Sequence, residues 1–552
     1  MKQYPAKETV YYDNFRDFLN DAALRYGESP AVTCYNRKGE THTKSYRQLK
    51  EDAFAFGEAL CGAGLNGKHV ALISENSQEW LTAWFGVAVS GGVTVCIDIE
   101  HRDETIIAMA AQADAEILIV SPSMLFLGRR IAAENSNIKK LLVTGSDPDG
   151  QFEAMAQFTQ RLLEEGSGRE AMKLCRPKKE QTAAIVYTSG TTSTAKPVML
   201  SQHGILRNAG DSLTLLDSGK KVFNTLPLYH TYGFTCGVLC ALIRGIEVGL
   251  SCDLKRMIQE MTYFKPNTVV AVPLIIEAIH KLAWSYIKNS FSGDAADRLM
   301  KLENFLGRPN RLMKEKVKRA FADTCFQDLE YILSGGAHLS EKVAQDLEHF
   351  GIVVLQGYGI TECSPSISVN RNEDYRLDSV GLVLPSYEVR IVDDEIQVRG
   401  VPLMNGYYKQ PELTAQSYDG EWFKTGDLGY VDKQGHVHIT GRKKNLIVMK
   451  NGKKVAVEEM EEEMKKLPLV KEAMVYGAKS GISEDDVKIA VMVYPDQNVA
   501  KDMTSYEILE QLQEYVDRLN AQLPPYKQIQ MVNIRDTEFE KTSSNKIKRQ
   551  LV

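Results

Sequence analysis

Strand and helix patterns alternate along the first part of the chain, and this alternation constrains the possible fold more than any other feature. An amphipathic helix pattern at Phe15–Tyr26 precedes strand patterns at Ala31–Cys34 and His69–Ser74, a helix at Gln78–Val89 and a strand at Gly92–Ile97. Parallel neighbouring strands need a crossover connection, so strands that alternate with helices indicate βαβ units on a parallel sheet. The pattern therefore predicts an α/β fold.

The same alternation continues through the middle of the chain. The further predicted elements are strands at Leu141–Thr144, Ala183–Thr188, Val222–Leu226, Thr268–Val272 and Tyr331–Leu333, and an apolar helix around Gly233–Ile243. A polar segment rich in Lys and Arg, Ser285–Ala320, interrupts the alternation, and we interpret it as a surface excursion. A chain of 552 residues is too long for one ordinary core, so several structural units are expected.

Past about residue 386 the pattern changes to short strands separated by turns. These strands are predicted at Glu388–Val392, Glu395–Arg399, Gly429–Asp432 and His436–Thr440. The tail beyond them predicts strands at Asn445–Met449, Glu472–Val475 and Lys488–Val493, and helices at Val457–Leu467 and Tyr506–Leu519. The sequence thus predicts a large N-terminal domain over residues 1–443, made of two α/β subdomains and a β-rich subdomain, and a small α+β C-terminal domain over residues 444–552.

An acidic run lies within the helix predicted at Val457–Leu467. Its apolar residues are three or four positions apart, which leaves the glutamates on the remaining faces. We expect Glu461 to pair with Lys465, and Glu462 with Lys466, each four residues on. The run is therefore interpreted as a solvated face without a catalytic role.

Charge and cysteine content exclude several classes of protein. Lys and Arg number 66 against 72 Asp and Glu, so the net charge of −6 gives no general reason to bind nucleic acid. The nine cysteines are odd in number and never form a CxxC pair, which favours a reducing compartment. No stretch approaches the roughly 18 apolar residues that a membrane span needs, and no signal peptide is recognisable. We expect a cytoplasmic protein without a transmembrane segment.

The most informative short stretch is Thr188–Pro197, in which hydroxyl residues surround Gly190 and one lysine, Lys196, follows. Backbone N–H groups and hydroxyls of such a loop can surround phosphate oxygens, and the lysine supplies a positive charge. The stretch is not a Walker A loop, because Pro197 stands where that loop has the Ser or Thr that holds Mg²⁺. On composition alone, a surface turn rich in Ser and Thr remains an equal alternative.

This stretch resembles the signature loop of the adenylate-forming superfamily, which includes acyl-CoA synthetases, non-ribosomal adenylation domains and luciferases. The resemblance assigns the ATP phosphates to Thr188, Ser189, Gly190, Thr191, Thr192 and Lys196. Ser193, Ala195 and Pro197 depart from the Gly, Pro and Gly that the superfamily commonly has. Further matches follow in the same order and cover essentially the whole chain, and they make the resemblance specific.

Three of these matches lie in the predicted N-terminal domain. Leu226–His230 resembles the segment whose His or aromatic residue gates the acyl pocket, which implies that Tyr229 and His230 line it. Ser334–Ala337 is similar to the stretch along the adenine, which involves Gly335, Gly336 and Ala337. The third match, Gln356–Glu362, resembles the Y-G-x-T-E motif. It implies that Gly357, Tyr358 and Gly359 bind the adenine side of the nucleotide, that Thr361 contacts the α-phosphate region and that Glu362 holds Mg²⁺.

The remaining matches lie near or beyond the predicted domain boundary. Asp427 matches the aspartate that accepts both ribose hydroxyls, a task that suits a carboxylate. Arg442 is placed near ribose and phosphate, Lys444 at the hinge, and Gly452 in the tunnel for the thiol of coenzyme A. The final segment resembles the terminal K-T-x-x-G-K-I-x-R loop, with Asn545 in place of its last Gly, and identifies Lys546 as the adenylation lysine.

The resemblance implies an ATP-dependent ligase with a mobile C-terminal domain. Such an enzyme converts a carboxylic acid into an acyl-adenylate, with Mg²⁺ as cofactor, and then into a thioester of coenzyme A. The apolar segment Phe234–Leu242 and the excursion Ser285–Ala320 favour a medium- or long-chain fatty acid. Two alternatives stay open: transfer of the acyl group to the phosphopantetheine arm of an acyl carrier protein, and a non-catalytic protein that binds nucleotide or acyl groups.

Overall fold

A computed structural model of the chain describes residues 6–36, 38–147, 149–188, 195–290, 311–449, 453–479, 487–541 and 547–549. Contacts between Cα atoms divide it into two compact units. The first comprises Met1–Glu388 and Arg399–Tyr418, and the second comprises Val389–Val398 and Asp419–Val552. This division runs through the β-rich module, whereas the boundary at 443/444 stays a prediction. The expected α/β class is confirmed.

The first unit contains an eight-stranded sheet. In spatial order its strands are Gly406–Tyr407, Pro197–Ser201, Thr182–Tyr187, Val93–Cys96, His69–Ile73, Ile117–Val120, Lys140–Val143 and Glu153–Ala154. The sheet is parallel from Thr182–Tyr187 to its far edge, whereas Pro197–Ser201 runs antiparallel to both neighbours. The antiparallel strand is significant because the segment 188–196 leads into it.

A nine-stranded sheet forms the other layer of the first unit. Its strands in spatial order are Leu382–Val383, Ser366–Val369, Val353–Gly359, Tyr331–Ser334, Thr268–Ala271, Lys221–Asn224, Glu247–Leu250, Pro30–Tyr35 and Thr41–Ser45. The six strands from Val353–Gly359 to Pro30–Tyr35 are parallel, and the strands at the two edges are antiparallel. The carboxyl ends of those six strands therefore lie at one edge of the sheet.

Helices cover the faces of these sheets. They span Phe15–Tyr26, Tyr46–Gly62, Gln78–Val89, Asp103–Gln112, Leu125–Glu134, Met155–Glu165, Arg169–Leu174, Gln202–Leu215, Tyr232–Leu239, Cys240–Ile243, Met257–Phe264, Pro273–Ser290, Arg311–Ala320, Glu341–His349 and Pro411–Gln416, with short 3₁₀ turns at Pro122–Met124, Leu254–Arg256 and Thr361–Cys363. Gln78–Val89 buries eleven of its twelve residues, as expected for a helix that is apolar all round. Within the described ranges, no helix combines the length and apolar character that spanning a bilayer requires.

Two expectations about helices need correction. The apolar helix predicted around Gly233–Ile243 is a π-helix at Tyr232–Leu239 followed by one α-helical turn. The segment predicted as a surface excursion begins inside the helix Pro273–Ser290, where Ile287 is fully buried, and Val317 near its other end is also buried. Both ends of that segment therefore contribute to the core, and residues 291–310 lie outside the described residues.

The second unit contains antiparallel strands followed by an α+β tail. Its β-rich part has strands at Tyr387–Val392, Glu395–Gly400, Tyr418–Asp419, Trp422–Val431 and Val437–Arg442, the first three of which extend into the first unit. The tail has strands at Ile447–Val448, Lys454–Val455, Val470–Lys479, Val487–Pro495 and Met531–Ile534, helices at Val457–Lys465 and Ser505–Asn520, and 3₁₀ turns at Lys443–Asn445 and Pro525–Lys527. Apolar residues of both helices and of the three-stranded sheet form one core.

Candidate active site

Three predicted site segments of the first unit follow parallel strands of the nine-stranded sheet. Residues 229–230 follow the strand 221–224, residues 335–337 follow the strand 331–334, and residues 357–362 occupy the end of the strand 353–359 and the turn beyond it. Ligands of open α/β sheets bind outside the carboxyl ends of the strands. The fold therefore gathers these separate sequence segments at the edge where such a sheet binds ligands.

The turn that carries Thr361 and Glu362 is held by the fully buried side chain of Asn208. Asn208 Nδ2 donates to the carbonyl oxygens of Cys363 at 3.0 Å and Ser366 at 2.7 Å, and Asn208 Oδ1 accepts from the Ser366 N–H at 3.1 Å. Sequence reasoning missed this residue, although a polar side chain within a buried helix is a recognisable signal. Asn208 fixes the backbone from which Thr361 and Glu362 project.

Two glycines of these segments lie too close to neighbouring groups to carry a side chain. A Cβ on Gly359 would stand 2.0 Å from the carbonyl oxygen of Pro365, across the same turn. A Cβ on Gly335 would stand 2.9 Å from the ring of Tyr232, whose hydroxyl donates to the carbonyl oxygen of Leu333 at 3.0 Å. The other predicted residues of these segments are half-buried or exposed: Gly336, Ala337, Gly357 and Tyr358. A side chain at either position would therefore displace the Pro365 carbonyl or the Tyr232 ring and change the backbone along this edge.

Tyr407 connects two residues that the sequence assigned separately. Its hydroxyl donates to Glu362 Oε1 at 2.8 Å, and Lys196 Nζ lies 5.1 Å from the centre of its ring. Burial, together with the Glu362 carboxylate, raises the pKa of Tyr407, so its hydroxyl keeps its proton. Sequence reasoning missed Tyr407, since its contacts involve residues far apart in sequence.

The predicted phosphate segment joins two antiparallel strands. The N–H of Thr188 donates to the carbonyl oxygen of Lys196 at 3.1 Å, and Tyr187 is paired with Pro197. Pro197 opens the second strand, a position where its missing N–H is tolerated. Ser189, Gly190, Thr191 and Thr192 lie outside the described residues, so their assigned role remains a prediction.

The predicted gate residues line a small apolar cavity. Tyr229 and His230 border it together with Trp84 and Phe234, and its volume is about 10 Å³, roughly the room for one water. The rings of Trp84 and Phe234, which both border the cavity, have centroids 4.2 Å apart. Phe234 belongs to the π-helix, a conformation that occurs frequently at functional sites.

The environment of His230 favours its neutral form. His230 Nε2 is buried and 3.7 Å from Asp98 Oδ2, and no described group lies within hydrogen-bond distance of it. Burial lowers the pKa of His230, and the opposing effect of Asp98 does not restore it. An uncharged imidazole at neutral pH is compatible with an apolar pocket.

Two predicted ribose ligands meet in the second unit. Arg442 Nε lies 2.7 Å from Asp427 Oδ1, and the two residues are opposite each other on paired strands. Gly426, at φ +72°, donates its N–H to Glu395 Oε1 at 3.1 Å, and Lys443 Nζ lies 2.7 Å from Glu395 Oε2. The carboxylate of Asp427 is therefore fixed by a cation and by a backbone turn that needs glycine.

Comparison with known proteins identifies the family. The AMP-binding enzyme family matches residues 19–408, and the AMP-binding enzyme C-terminal domain matches residues 444–552. The chain belongs to the AMP-binding enzyme family. The long-chain-fatty-acid–CoA ligase of Escherichia coli O157:H7 is 28% identical over 577 residues, which cover 98% of this chain and 94% of that protein.

A second relative and a solved structure are also similar to this chain. The long-chain-fatty-acid–CoA ligase FadD15 of Mycobacterium bovis is 28% identical over 437 residues, which cover 74% of this chain and 71% of that protein. Among solved structures, the anthranilate CoA ligase AuaEII in complex with anthranoyl-AMP superposes with a TM-score of 0.78 at 20% identity, covering 98% of this chain and 96% of that one. That structure supports the fold of an AMP-binding enzyme.

The C-terminal residues assigned to this AMP-binding enzyme are described only in part. Lys444 is exposed within the short turn Lys443–Asn445. Gly452 and Lys546 lie outside the described residues, and their roles remain predictions. The residues on either side of 542–546 are described, and Lys541 and Ile547 form an isolated β-bridge.

The expected solvated face of the helix Val457–Lys465 needs correction. Glu461 is buried, and Arg549 Nη2 lies 2.6 Å from its Oε2. The observed pairs on the exposed face are Lys465 with Glu462 and Lys466 with Glu463, each three residues apart. The pairs predicted four residues apart are therefore wrong, because the tertiary partner of Glu461 could not be read from helical spacing.

The carboxylate of Glu362 fits a Mg²⁺ ion that is held jointly with nucleotide phosphates. Among the residues that the structure describes, Tyr407 alone donates a side-chain hydrogen bond to it, through Oε1, which leaves Oε2 as a possible ligand. No group of three His, Cys, Asp or Glu side chains in the described ranges could hold a metal ion by itself. Mg²⁺ usually binds through one or two carboxylates plus substrate phosphates and waters, so this donor set suits it.

Proposed function

We propose that the chain is an AMP-forming acyl-CoA ligase that acts on a medium- or long-chain fatty acid. It converts the acid and ATP into an acyl-adenylate and pyrophosphate, and then converts the acyl-adenylate and coenzyme A into acyl-CoA and AMP. The convergence of three predicted ligand segments at the carboxyl edge of one parallel sheet carries this proposal. Relatives named as long-chain-fatty-acid–CoA ligases support the choice of acid.

In the first half-reaction, an oxygen of the fatty acid carboxylate attacks the α-phosphorus and pyrophosphate leaves. Lys196 and Lys546 oppose the negative charge that develops on the phosphoryl oxygens, and Thr361 contacts the α-phosphate. Mg²⁺ bound at Glu362 would neutralise phosphate charge. Asp427 accepts the ribose hydroxyls, while Arg442 orients that carboxylate through its ion pair.

In the second half-reaction, the thiol sulfur of coenzyme A attacks the acyl carbonyl carbon. The bond from that carbon to the adenylate oxygen breaks, AMP leaves, and the thiol proton is released. We assign the hinge for this step to Lys444 and the thiol tunnel to Gly452. Lys546 has no role here, because no charge builds on a pyrophosphate leaving group.

The apolar cavity at Trp84 and Phe234 favours a substrate with an aliphatic acyl chain. Its present volume of about 10 Å³ cannot hold a fatty acid, so binding requires the cavity to enlarge. The neutral form of His230 avoids placing a charge against that chain. Both features favour an uncharged chain over an acid with a second carboxylate.

Pyrophosphate exchange over a panel of acids tests the proposal. We expect ATP–pyrophosphate exchange with fatty acids of medium or long chain, and acyl-CoA formation when coenzyme A is added. Anthranilate and short dicarboxylic acids serve as controls and should not support exchange. If exchange occurred without transfer to coenzyme A but with transfer to an acyl carrier protein, the carrier protein would be the acyl acceptor. The absence of exchange with every acid would instead reject the enzyme and favour a binding protein.

A further inference from the structure

Tyr407 contacts both an assigned metal carboxylate and an assigned phosphate lysine. It is 3% exposed, its hydroxyl is 2.8 Å from Glu362 Oε1, and its ring centre is 5.1 Å from Lys196 Nζ. Glu362 and Lys196 lie 166 positions apart in the sequence. One side chain thus contacts assigned residues of two segments that are far apart in the sequence.

The backbone around Tyr407 fixes the side chain relative to both segments. Tyr407 pairs with Val198, two residues beyond Lys196, in an antiparallel ladder. Its N–H donates to Thr414 Oγ1 at 2.9 Å, and the N–H of Met404 donates to the carbonyl oxygen of Glu362 at 2.9 Å. The segment 404–407 is therefore tied to the strand that follows the phosphate segment, Pro197–Ser201, and to the Thr361–Glu362 turn.

The two contacts of Tyr407 have complementary electrostatics. The protonated hydroxyl donates to a carboxylate, a charge-assisted hydrogen bond that is stronger than a neutral one. The face of the ring carries the negative part of the aromatic quadrupole, which attracts the Lys196 ammonium. Opposite charges are thus held on the edge and on the face of one rigid ring.

We propose that Tyr407 is a positioning residue that holds Glu362 and Lys196 in the geometry needed to bind ATP together with Mg²⁺. It acts through those two side chains and does not itself touch the reacting atoms. This inference rests on the proposed function, in which Glu362 binds Mg²⁺ and Lys196 binds phosphate. Removing the hydroxyl should affect the metal-dependent part of nucleotide binding, and removing the ring should also affect the part that depends on Lys196.

The neighbouring tyrosine provides a matched control. Tyr408 donates its hydroxyl to Asp114 Oδ2 at 2.7 Å, and among the described residues no hydrogen bond joins its side chain to Glu362 or Lys196. Tyr408→Phe therefore removes a tyrosine–carboxylate hydrogen bond of similar length at the adjacent position. A general effect of losing such a bond would be equal in the two variants.

Calorimetric titration of the full chain with ATP measures the effect without relying on turnover. Wild type, Tyr407→Phe, Tyr407→Leu and Tyr408→Phe are titrated with ATP plus excess MgCl₂ and with ATP plus EDTA. Tyr407→Phe should weaken binding of ATP with Mg²⁺ by about tenfold, since the lost hydrogen bond involves a charged group, and should leave metal-free binding within about twofold. Tyr407→Leu should weaken both, whereas Tyr408→Phe should match wild type.

A double-mutant cycle gives a second measurement. In a Glu362→Gln background, the further change Tyr407→Phe should have little additional effect on Mg²⁺-dependent binding, because its partner charge is already gone. Equal affinities of Tyr407→Phe and Tyr408→Phe, or additive effects in the cycle, would overturn the inference while leaving the proposed function intact. Wild type that neither binds ATP nor catalyses pyrophosphate exchange would overturn both.

Discussion

Glu461 is an acidic side chain whose environment is set by a partner 88 residues away. It accepts hydrogen bonds from Arg549 Nη2 at 2.6 Å and from the N–H of Val475 at 2.7 Å. Arg549 Nη1 also donates to the carbonyl oxygen of Val475 at 3.1 Å. Burial raises the pKa of Glu461, and the opposing effect of Arg549 does not compensate. These contacts attach Arg549, the last described residue of the chain, to Glu461 and Val475 of the second unit.

Glu461→Gln should strengthen this attachment near neutral pH, because a raised pKa means that the folded state favours the uncharged side chain, and the amide oxygen can still accept from the N–H of Val475. We expect the free energy of local opening at the strand Val470–Lys479 to rise, so that amide exchange at Val475 is slower than in wild type. Hydrogen exchange measured by NMR or mass spectrometry checks this. The control Glu462→Gln, on the exposed face, should leave the exchange rate unchanged.

The acid dependence of this difference has a definite sign. A folded-state pKa above the ordinary value means that native Glu461 takes up a proton before the unfolded chain does as pH falls. Protonated Glu461 carries no charge, as in Glu461→Gln. The difference in exchange rate between wild type and Glu461→Gln should therefore be largest near neutral pH and shrink on acidification. A difference that grows as pH falls would contradict the assignment.

At the scale of elements, the sequence pattern predicted the helix Gln78–Val89 with its observed bounds and eight strands of the two large sheets to within one or two residues at their ends. Other strands of these sheets, such as Ile117–Val120, Pro197–Ser201 and Glu247–Leu250, were not predicted. The segment Tyr232–Leu239 was predicted as a helix but not as a π-helix, because an apolar segment has no polar face from which its helical period can be read. At its start the chain turns tightly, since a Cβ on Gly233 would stand 2.1 Å from the carbonyl oxygen of Pro227.

Sequence motifs identified the candidate ligand segments but not the side chains that hold them. Motif residues such as Thr361 and Asp427 can be assigned by resemblance, because the chemistry of nucleotide binding restricts their identity. Asn208 and Tyr407 hold such residues through contacts between distant segments, and neither periodicity nor local spacing encodes those contacts. Supporting residues of this kind could be identified only from the three-dimensional structure.

Asn208→Ala should release the turn that carries Thr361 and Glu362. The change leaves backbone groups of Cys363 and Ser366 without their buried partner, which should cost roughly 2 kcal/mol or more of stability and lower pyrophosphate exchange by about tenfold or more. Thermal melting and exchange assays measure the two effects.

Ser212→Ala is the matched control for Asn208→Ala. Ser212 lies one turn along the same helix, and its hydroxyl donates only to the Asn208 carbonyl oxygen, at 2.9 Å. This variant should retain wild-type exchange. If Asn208→Ala melted at a lower temperature yet kept full activity at a temperature where it is folded, Asn208 would be a core residue without influence on the site.

At the scale of the whole molecule, two compact units carry different parts of the proposed reaction. The first unit contains the residues assigned to phosphate, adenine, Mg²⁺ and the acyl chain, and the second contains those assigned to ribose, hinge and adenylation lysine. The match of the family's C-terminal domain to residues 444–552 agrees with a separate tail. A two-step ligase can then use different residues of the tail in each step.

Lys546→Ala should separate the two half-reactions. Without this ammonium, charge on the phosphoryl oxygens is not neutralised, so we expect pyrophosphate exchange to fall by about 100-fold or more. Thioester formation from chemically synthesised acyl-adenylate and coenzyme A should stay within about twofold of wild type, because that step needs no neutralisation of pyrophosphate. Rapid-quench assays of each half-reaction measure the two rates.

The control for Lys546→Ala is Lys548→Ala, two residues along the chain. Lys548 is exposed, and its N–H donates to the carbonyl oxygen of Glu540 at 2.8 Å, so its side chain can be removed without disturbing this backbone bond. Both half-reactions should survive that change. Formation of acyl-CoA from free acid by Lys546→Ala at the wild-type rate would remove the adenylation role from this lysine. Equal loss of both half-reactions would instead mean that the terminal segment supports the fold of the second unit, since only a role in adenylation predicts a loss confined to the first step.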